Sequence, residues 1–517
     1  MKTLLVTFLI ILFSSNFLAQ EFGWADVIFL TGNAEEKYDD EIFTTTDLEG
    51  NIYITGKFLD EVVITSKHHV VETGESVKTS VAVTSNGGYD IFFAKFDADG
   101  VLEWATSFGG SGTDIGTAIA CNSAGDVIIT GQFEGTVDFG GKAITSSRKN
   151  NLFVSVFDNK GNIKWVQRAG GISVQPAVES GRGIAFDGSD NIYITGTFYG
   201  NDDKGDYTVP GTATFGDFQV PNVAQSTNSF VAKYTKDGQV LWVQTIAHYG
   251  LGGSNGICVD ANGNSYITGV CSATFVVGAQ VLNSNGIADI YVAKINADGT
   301  HGWFKQFGSG EKFNPVNAGS YTDPFEYGTG ICSDAEGNLY VTGQFTDECQ
   351  FGNFELDSDD GTIFLMKMNG AGDVIWATNT GGEYLNLAKA VTLDGNGFVY
   401  ITGLNSKYGG IDVESDGYWK TINERGLGFV EKYNTKDGSL VWGAGAGSWG
   451  LSITSNTEHN IYLVGSFANQ VKFDDETGLD IKEKIDSEYV DGGLFGNDKM
   501  ITTYKAGTAL YMVKILE

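Results

Sequence analysis

Proline is almost missing from this chain, with five residues among 517, while glycine reaches 71, about twice the usual 7% share. With 42% hydrophobic and 13% aromatic residues, that pairing excludes a Pro/Gly-rich disordered chain and points to a packed, turn-rich β protein. Cysteine is equally thin. Cys121, Cys258, Cys271, Cys332 and Cys349 are odd in number and contain no CxxC pair, which excludes a full disulfide framework and a zinc spacing. Cys258 and Cys332 occupy one place in two similar stretches, "GICVD" and "GICSD", where a third, "GIAFD", has alanine; small buried hydrophobes fit that pattern. Basic residues are also scarce, 32 against 64 acidic ones, for a formal net charge of −32. Such a balance argues against nucleic acid or an anionic membrane surface as partner and favours solubility and the attraction of cations. Beyond the first twenty residues no apolar run is long enough to span a bilayer, so no transmembrane segment is expected.

The chain opens "MKTLLVTFLIILFSSNFLAQ", with Lys2, an apolar run from Leu4 to Phe13, then small and polar residues up to Ala19. This reads as a secretory signal peptide over residues 1–20, cleaved near Ala19 or Gln20. The expected location of the mature chain is outside the inner membrane.

From there the sequence repeats. A short strand ending in glycine appears as "GNIYITGKF", "DNIYITGTF" and "GNLYVTGQF", and can be followed through Gly56, Gly131, Gly196, Gly269, Gly343, Gly403 and Gly465 at spacings of 60 to 75 residues. A second strand follows each, as in "DIFFAKFDADG" and "SFVAKYTKDG", then a Gly turn and a tryptophan: Trp104, Trp165, Trp242, Trp303, Trp376 and Trp442. The seventh copy lacks its tryptophan strand, and the missing piece stands at the other end as "EFGWADVIF" around Trp24. A repeat split this way closes a ring without open sheet edges, whereas an open solenoid needs polar caps. The expectation is a single all-β domain over residues 21–517, a seven-bladed β-propeller of four-stranded antiparallel blades. Its last blade is built from residues near 443–517 plus 21–30. Asp47, Asn122, Asp187, Asp260, Asp334, Asp394 and Asn456 recur after each inner strand as turn caps.

The pattern "D..GN.Y.TG.F … D.FVAK.D.DG...W...GG.G.D.G..IA" resembles the bacterial β-propeller repeat family called SBBP, related to NHL-type propellers, over roughly residues 24 to 517. That resemblance implies the fold and a secreted, periplasmic or cell-surface protein of a Gram-negative, Bacteroidetes-like bacterium. It implies little about activity, because propellers host many functions.

Two places stand out for function. Turns one and three of each unit are short and repetitive, while the middle turns run from about 19 residues after Gly343 to more than 40 after Gly465, with long insertions in blades one, three and seven. Variable loops on one face of a regular scaffold mark a binding surface. The second place lies just before the inner strands, where the same offset gives Asp39, Asp114, Glu179, Gly252, Glu326, Asn386 and Ser448. Asp39, Asp114, Glu179, Glu326 and Asn386 are the candidate ligand-binding residues. Converging carboxylates at a channel mouth could hold calcium or act as general acid and base; the structural alternative is that each caps its Gly-rich backbone. The lysines Lys95, Lys233, Lys294, Lys367, Lys432 and Lys514 recur as scaffold does, with stems packed between sheets. "DSDDG" and the "DADG" turns lack the complete calcium-loop spacing. His68, His69, His248, His301 and His459 join no catalytic motif, and "YNTKDGSLVW" only weakly resembles the tryptophan-docking motif of quinoprotein propellers, in one blade and without a vicinal cysteine pair.

The leading expectation is a monomeric, non-catalytic propeller that binds a protein or glycan through its variable-loop face, with no cofactor and calcium as the one possible ion. The alternative is a hydrolase or lyase acting on extracellular polysaccharide or peptide through the channel-mouth carboxylates. A third is an architectural envelope protein.

Overall fold

The computed structural model describes residues 22–28, 42–70, 75–147, 150–171, 179–198, 212–221, 227–250, 252–286, 288–308, 326–346, 348–358, 362–382, 386–408, 411–413, 419–422, 428–446, 449–467 and 509–515. They form seven antiparallel four-stranded blades. Blade three shows the plan: an inner strand Ser180–Phe186, a second strand Ile192–Phe198, a third strand Asn228–Tyr234 and an outer strand Val240–His248. Blade seven is the split one. Its inner three strands are Trp449–Ser455, Ile461–Phe467 and Ala509–Ile515, and the outer place is taken by Phe22–Ile28, paired antiparallel with 509–515.

Burial explains the composition of the second strands. Seven apolar clusters stand among the described residues, one at each blade-to-blade interface. Ile192 and Ile194 enter the cluster shared with blade two, while Tyr193 between them enters the one shared with blade four. Two-sided burial turns alternation into a continuous apolar run.

The repeated glycine proves to be mid-strand, not terminal: the strand around Gly131 runs Val127–Phe133 and that around Gly196 runs Ile192–Phe198. Its reason lies on the neighbouring strand. The inner strand carries a β-bulge opposite it, between Gly116 and Ala118 in blade two and between Gly181 and Gly183 in blade three. A Cβ on Gly131 would lie 1.9 Å from the Ile115 carbonyl oxygen, and one on Gly196 would lie 2.0 Å from that of Ser180. Glycine, with no Cβ, lets the bulged backbone approach.

The tryptophans couple consecutive blades. Glycines with left-handed φ at the third turn, Gly238 (φ +89°), Gly299 (φ +86°) and Gly438 (φ +73°), lie against the rings of Trp165, Trp242 and Trp376 of the preceding blade. Trp165 Nε1 donates to the Lys236 carbonyl at 2.9 Å and Trp376 Nε1 to that of Thr435 at 3.1 Å. Trp24 lies on Phe22–Ile28, opposite Lys514.

Candidate functional site

The acid-capped first turns are a repeated polar unit. Asp260 accepts from the backbone N–H of Asn262 and Asn264 through Oδ1, and from Asn264 Nδ2 and Tyr266 Oη through Oδ2. Burial pushes the Asp260 carboxyl up, but these donors outweigh it and hold the group below the usual carboxylate value. Asp47, Asp187 and Asp334 make the same contacts with Tyr53, Tyr193 and Tyr340. The recurring lysine completes the unit. Lys233 Nζ lies 3.0 Å from Asp187 and 4.8 Å from the centre of the Tyr193 ring, and Lys367 stands 5.0 Å over Tyr340.

The residues before the inner strands are placed at the junctions between blades where the structure describes them. Asp114 is buried; its Oδ2 accepts from Gly110 N at 2.8 Å and its Oδ1 from Glu134 N at 3.0 Å. Burial, offset in part by those two N–H groups, moves its pKa up to about 6, with a further push from the Asp90 and Glu134 carboxylates. Glu179 is buried at the next junction, accepting from Gly171 N at 3.0 Å and from Asn151 Nδ2 at 3.0 Å. Glu326 is buried between blades four and five, against Gly308. Asn386 accepts through Oδ1 from Gly382 N and Ser406 N. Asp39 and Ser448 lie outside the described residues. Asp114, Glu179 and Glu326 are therefore spread over three junctions. Among the described residues, no three His, Cys, Asp or Glu side chains gather into a group able to hold a metal ion. Of the carboxylates expected at the channel mouth, Asp114 and Glu179 accept from N–H groups of the loops that link two blades, and Glu326 lies at a third junction, so these three are not brought together.

The bulges of the inner strands are a second set of repeated positions. The inner-strand bulge falls at Thr117, Arg182, Asn255, Thr329 and Lys389, and at Leu451 in blade seven. Thr117 Oγ1 donates to the Gly181 carbonyl of the next blade, Arg182 reaches Asn255 Oδ1 at 3.4 Å, and Asn255 Nδ2 donates to the Gly328 carbonyl at 2.9 Å. Lys389 stands 5.6 Å over the Trp449 ring. Arg182 and Lys389 are the two charged residues in the seven inner strands, although the chain has twice as many acids as bases. The signal for this ring was present as paired small residues around a polar one, as in Gly181-Arg182-Gly183 and Ala388-Lys389-Ala390.

The middle turns do not stand free in their described parts. They fold into two-stranded ribbons. That of blade three, Thr212–Phe215 with Phe218–Pro221, pairs onto the outer strand of blade two through Ala169↔Phe215 and Gly170↔Thr214. The ribbon of blade four, Thr274–Val277 with Gln280–Asn283, extends the outer strand of blade three from Ile246 to His248. Phe218, at 39% exposed, and Val281, at 66%, sit on these ribbons, and Tyr249, at 54%, lies beside the second. The five cysteines are free; burial pushes the Cys121 and Cys258 thiols up to about 12, so neither supplies a thiolate. His248 is buried, held at Nε2 by Ser229 Oγ at 2.9 Å, and burial lowers its pKa to about 3, which keeps it neutral.

Comparison with known proteins found similar chains. A WD repeat-containing protein of Acanthamoeba polyphaga mimivirus, itself uncharacterised, is 23% identical over 501 residues. The match takes in 82% of this chain and 35% of that protein, so the chain spans about a third of its relative's length. The chain is a seven-bladed β-propeller. No family model matches it. Among solved structures, the quinohemoprotein alcohol dehydrogenase of Comamonas testosteroni is 11% identical, with 95% of this chain and 76% of that one covered and a TM-score of 0.41. The WD40 domain of Neurospora crassa Pan2 is 8% identical, with 67% and 74% covered and a TM-score of 0.32.

Proposed function

We propose that this propeller is an exported, non-catalytic binding module of the SBBP type that takes a protein or glycan partner on its middle-turn face. The observation that carries the reading is the pair of ribbons that extend the outer strands of blades two and three and present Phe218, Tyr249 and Val281 to solvent. Exposed aromatic and aliphatic side chains on rigid strands bind at low entropic cost, for sugar rings as for protein surfaces. The inward use of Asp114, Glu179 and Glu326 supports binding over hydrolysis, since those acids already serve the loops between blades. A thermal-shift screen of the full chain against a glycan panel, with Ca²⁺ and with EDTA, finds the ligand by the stabilisation that mass action confers. The shift is expected to vanish in Phe218→Ser/Val281→Ser. A ligand whose shift survives that change and is lost instead on changing Arg182 or Lys389 places binding in the channel and overturns the reading.

A further inference from the structure

The junction between blades three and four is built differently from its neighbours. At the place held by Asp114, Glu179 and Glu326 in blades two, three and five, blade four has Gly252. A histidine fills the space: a Cβ on Gly252 would lie 2.0 Å from His248 Cγ and 2.3 Å from His248 Nδ1. His248 ends the outer strand of blade three, Val240–His248, and is fully buried. Ser229 Oγ lies 2.9 Å from His248 Nε2 and accepts from Tyr291 Oη of blade four at 3.2 Å. His248 Nδ1 is buried without a hydrogen-bond partner.

The same residue anchors a ribbon. The blade-four ribbon, Thr274–Val277 with Gln280–Asn283, is held on this outer strand through Ile246↔Val277, Ala247↔Val276 and His248↔Phe275. Phe275 is fully buried, with its ring 6.3 Å from that of His248, and Tyr249 N donates to the Thr274 carbonyl at 2.8 Å. Exposed Val281 lies on that ribbon and exposed Tyr249 beside it.

We propose that His248 is an acid-sensitive latch: neutral, it closes the junction of blades three and four and holds the blade-four ribbon in place; protonated, it leaves its site and frees the ribbon. The neutral ring has one N–H to place and the imidazolium two, while Ser229 serves only one of the nitrogens. A buried charge also needs a counter-charge, and among the described residues no carboxylate is hydrogen-bonded to the ring. Ser229 faces it from the third strand of blade three, Tyr291 from the third strand of blade four, Phe275 from the ribbon and Gly252 from the inner strand, where Cys271 is the partner of Gly252. Tyr291 and Cys271 are the titratable groups of that set, and burial raises both, which keeps them neutral. The carboxyls of Asp289 and Glu326, which act on Cys271, both lie against Gly308 at the junction of blades four and five. Burial lowers the His248 pKa to about 3. A folded-state value below the ordinary imidazole value of about 6.5 means that the closed junction binds fewer protons than the open one. The latch is therefore fully stable above about pH 6.5 and loses that contribution as pH falls. Its consequence for binding rests on the ribbons being the partner surface proposed above; its mechanics do not.

Amide hydrogen exchange of the full chain at pH 7.5, 6.5 and 5.5, corrected for the intrinsic rate at each pH, reads the opening of the ribbon with no added molecule. In the wild type the open fraction of Thr274–Val277 is expected to rise about tenfold from pH 7.5 to pH 5.5, as one imidazole with an open-state value near 6.5 takes up a proton. The blade-three ribbon, held on Ala169 and Gly170, has no histidine and is expected to stay flat, a control within the same molecule. His248→Phe keeps a buried ring, removes the proton and is expected to abolish the rise. A blade-four ribbon whose exchange ignores pH, or rises no more than that of blade three, overturns the proposal, and both readings need only the wild type. A tenfold rise that persists in folded His248→Phe overturns it as well. Failure of the partner-surface reading shows elsewhere, in a thermal shift that survives Phe218→Ser/Val281→Ser, and leaves the exchange result unchanged.

Discussion

The two ends of the blades solve the same problem by opposite means. At the first turns, Asp187 and Asp260 keep their charge, because each is surrounded by N–H and O–H donors and, in Asp187, by a lysine. At the blade junctions on the other side, Asp90 and Asp289 have too few donors, and burial dominates. The same side-chain type is thus held below its ordinary pKa at one end of the blade and above it at the other. The number of hydrogen-bond donors within reach decides which, not the depth of burial alone. The first end is short-looped and repeated almost without change; the second carries the ribbons and the variation.

Removing residues 21–30 tests the closure on which both ends depend. Without Phe22–Ile28 the third strand of blade seven loses its outer partner and the ring gains an open edge. The largest loss of all is expected, a collapse of cooperative thermal unfolding measured by circular dichroism. Next comes Gly299→Ala, which combines a left-handed φ of +86° with a Cβ 2.8 Å from Trp242. A cost of about 2–3 kcal/mol in urea unfolding is expected. Tyr266→Phe removes one donor from Asp260 at the first-turn end and should cost about 1 kcal/mol by the same measurement. Its acid limb of stability should also move to higher pH, since a carboxyl held below its ordinary value stabilises the fold above its unfolded pKa and loses that contribution as pH falls. Phe218→Ser and Val281→Ser, on exposed ribbon positions, should change stability by no more than about 0.5 kcal/mol, so loss of ligand binding there reports the surface and not the fold.

Much of the fold was legible in the sequence because repetition writes it seven times. The glycines, the tryptophans and the turn aspartates fixed the number of blades, and the displaced "FGW" strand pointed to how the ring closes. The reason for the glycine was not legible. Gly131 reads as a strand end, yet it is required by a carbonyl 16 residues away in sequence order, that of Ile115, pushed forward by a bulge on the adjacent strand. The residues before the inner strands were legible as a recurring polar position but not as a role. Equal spacing places Asp114, Glu179 and Glu326 alike in each blade, and it is silent on whether equivalent side chains meet at the axis or turn into separate junctions.

By itself, then, the sequence determined the architecture: a periodic apolar pattern with glycine and tryptophan at set places has one economical solution, a closed ring of blades packed face to face. Only the tertiary structure decided the chemistry. A carboxylate's charge depends on the donors that other strands bring to it. Asn151 and Asp289 occupy the same place in their repeats, but what faces each of them comes from the next blade, 28 and 37 residues further along the chain at Glu179 and Glu326.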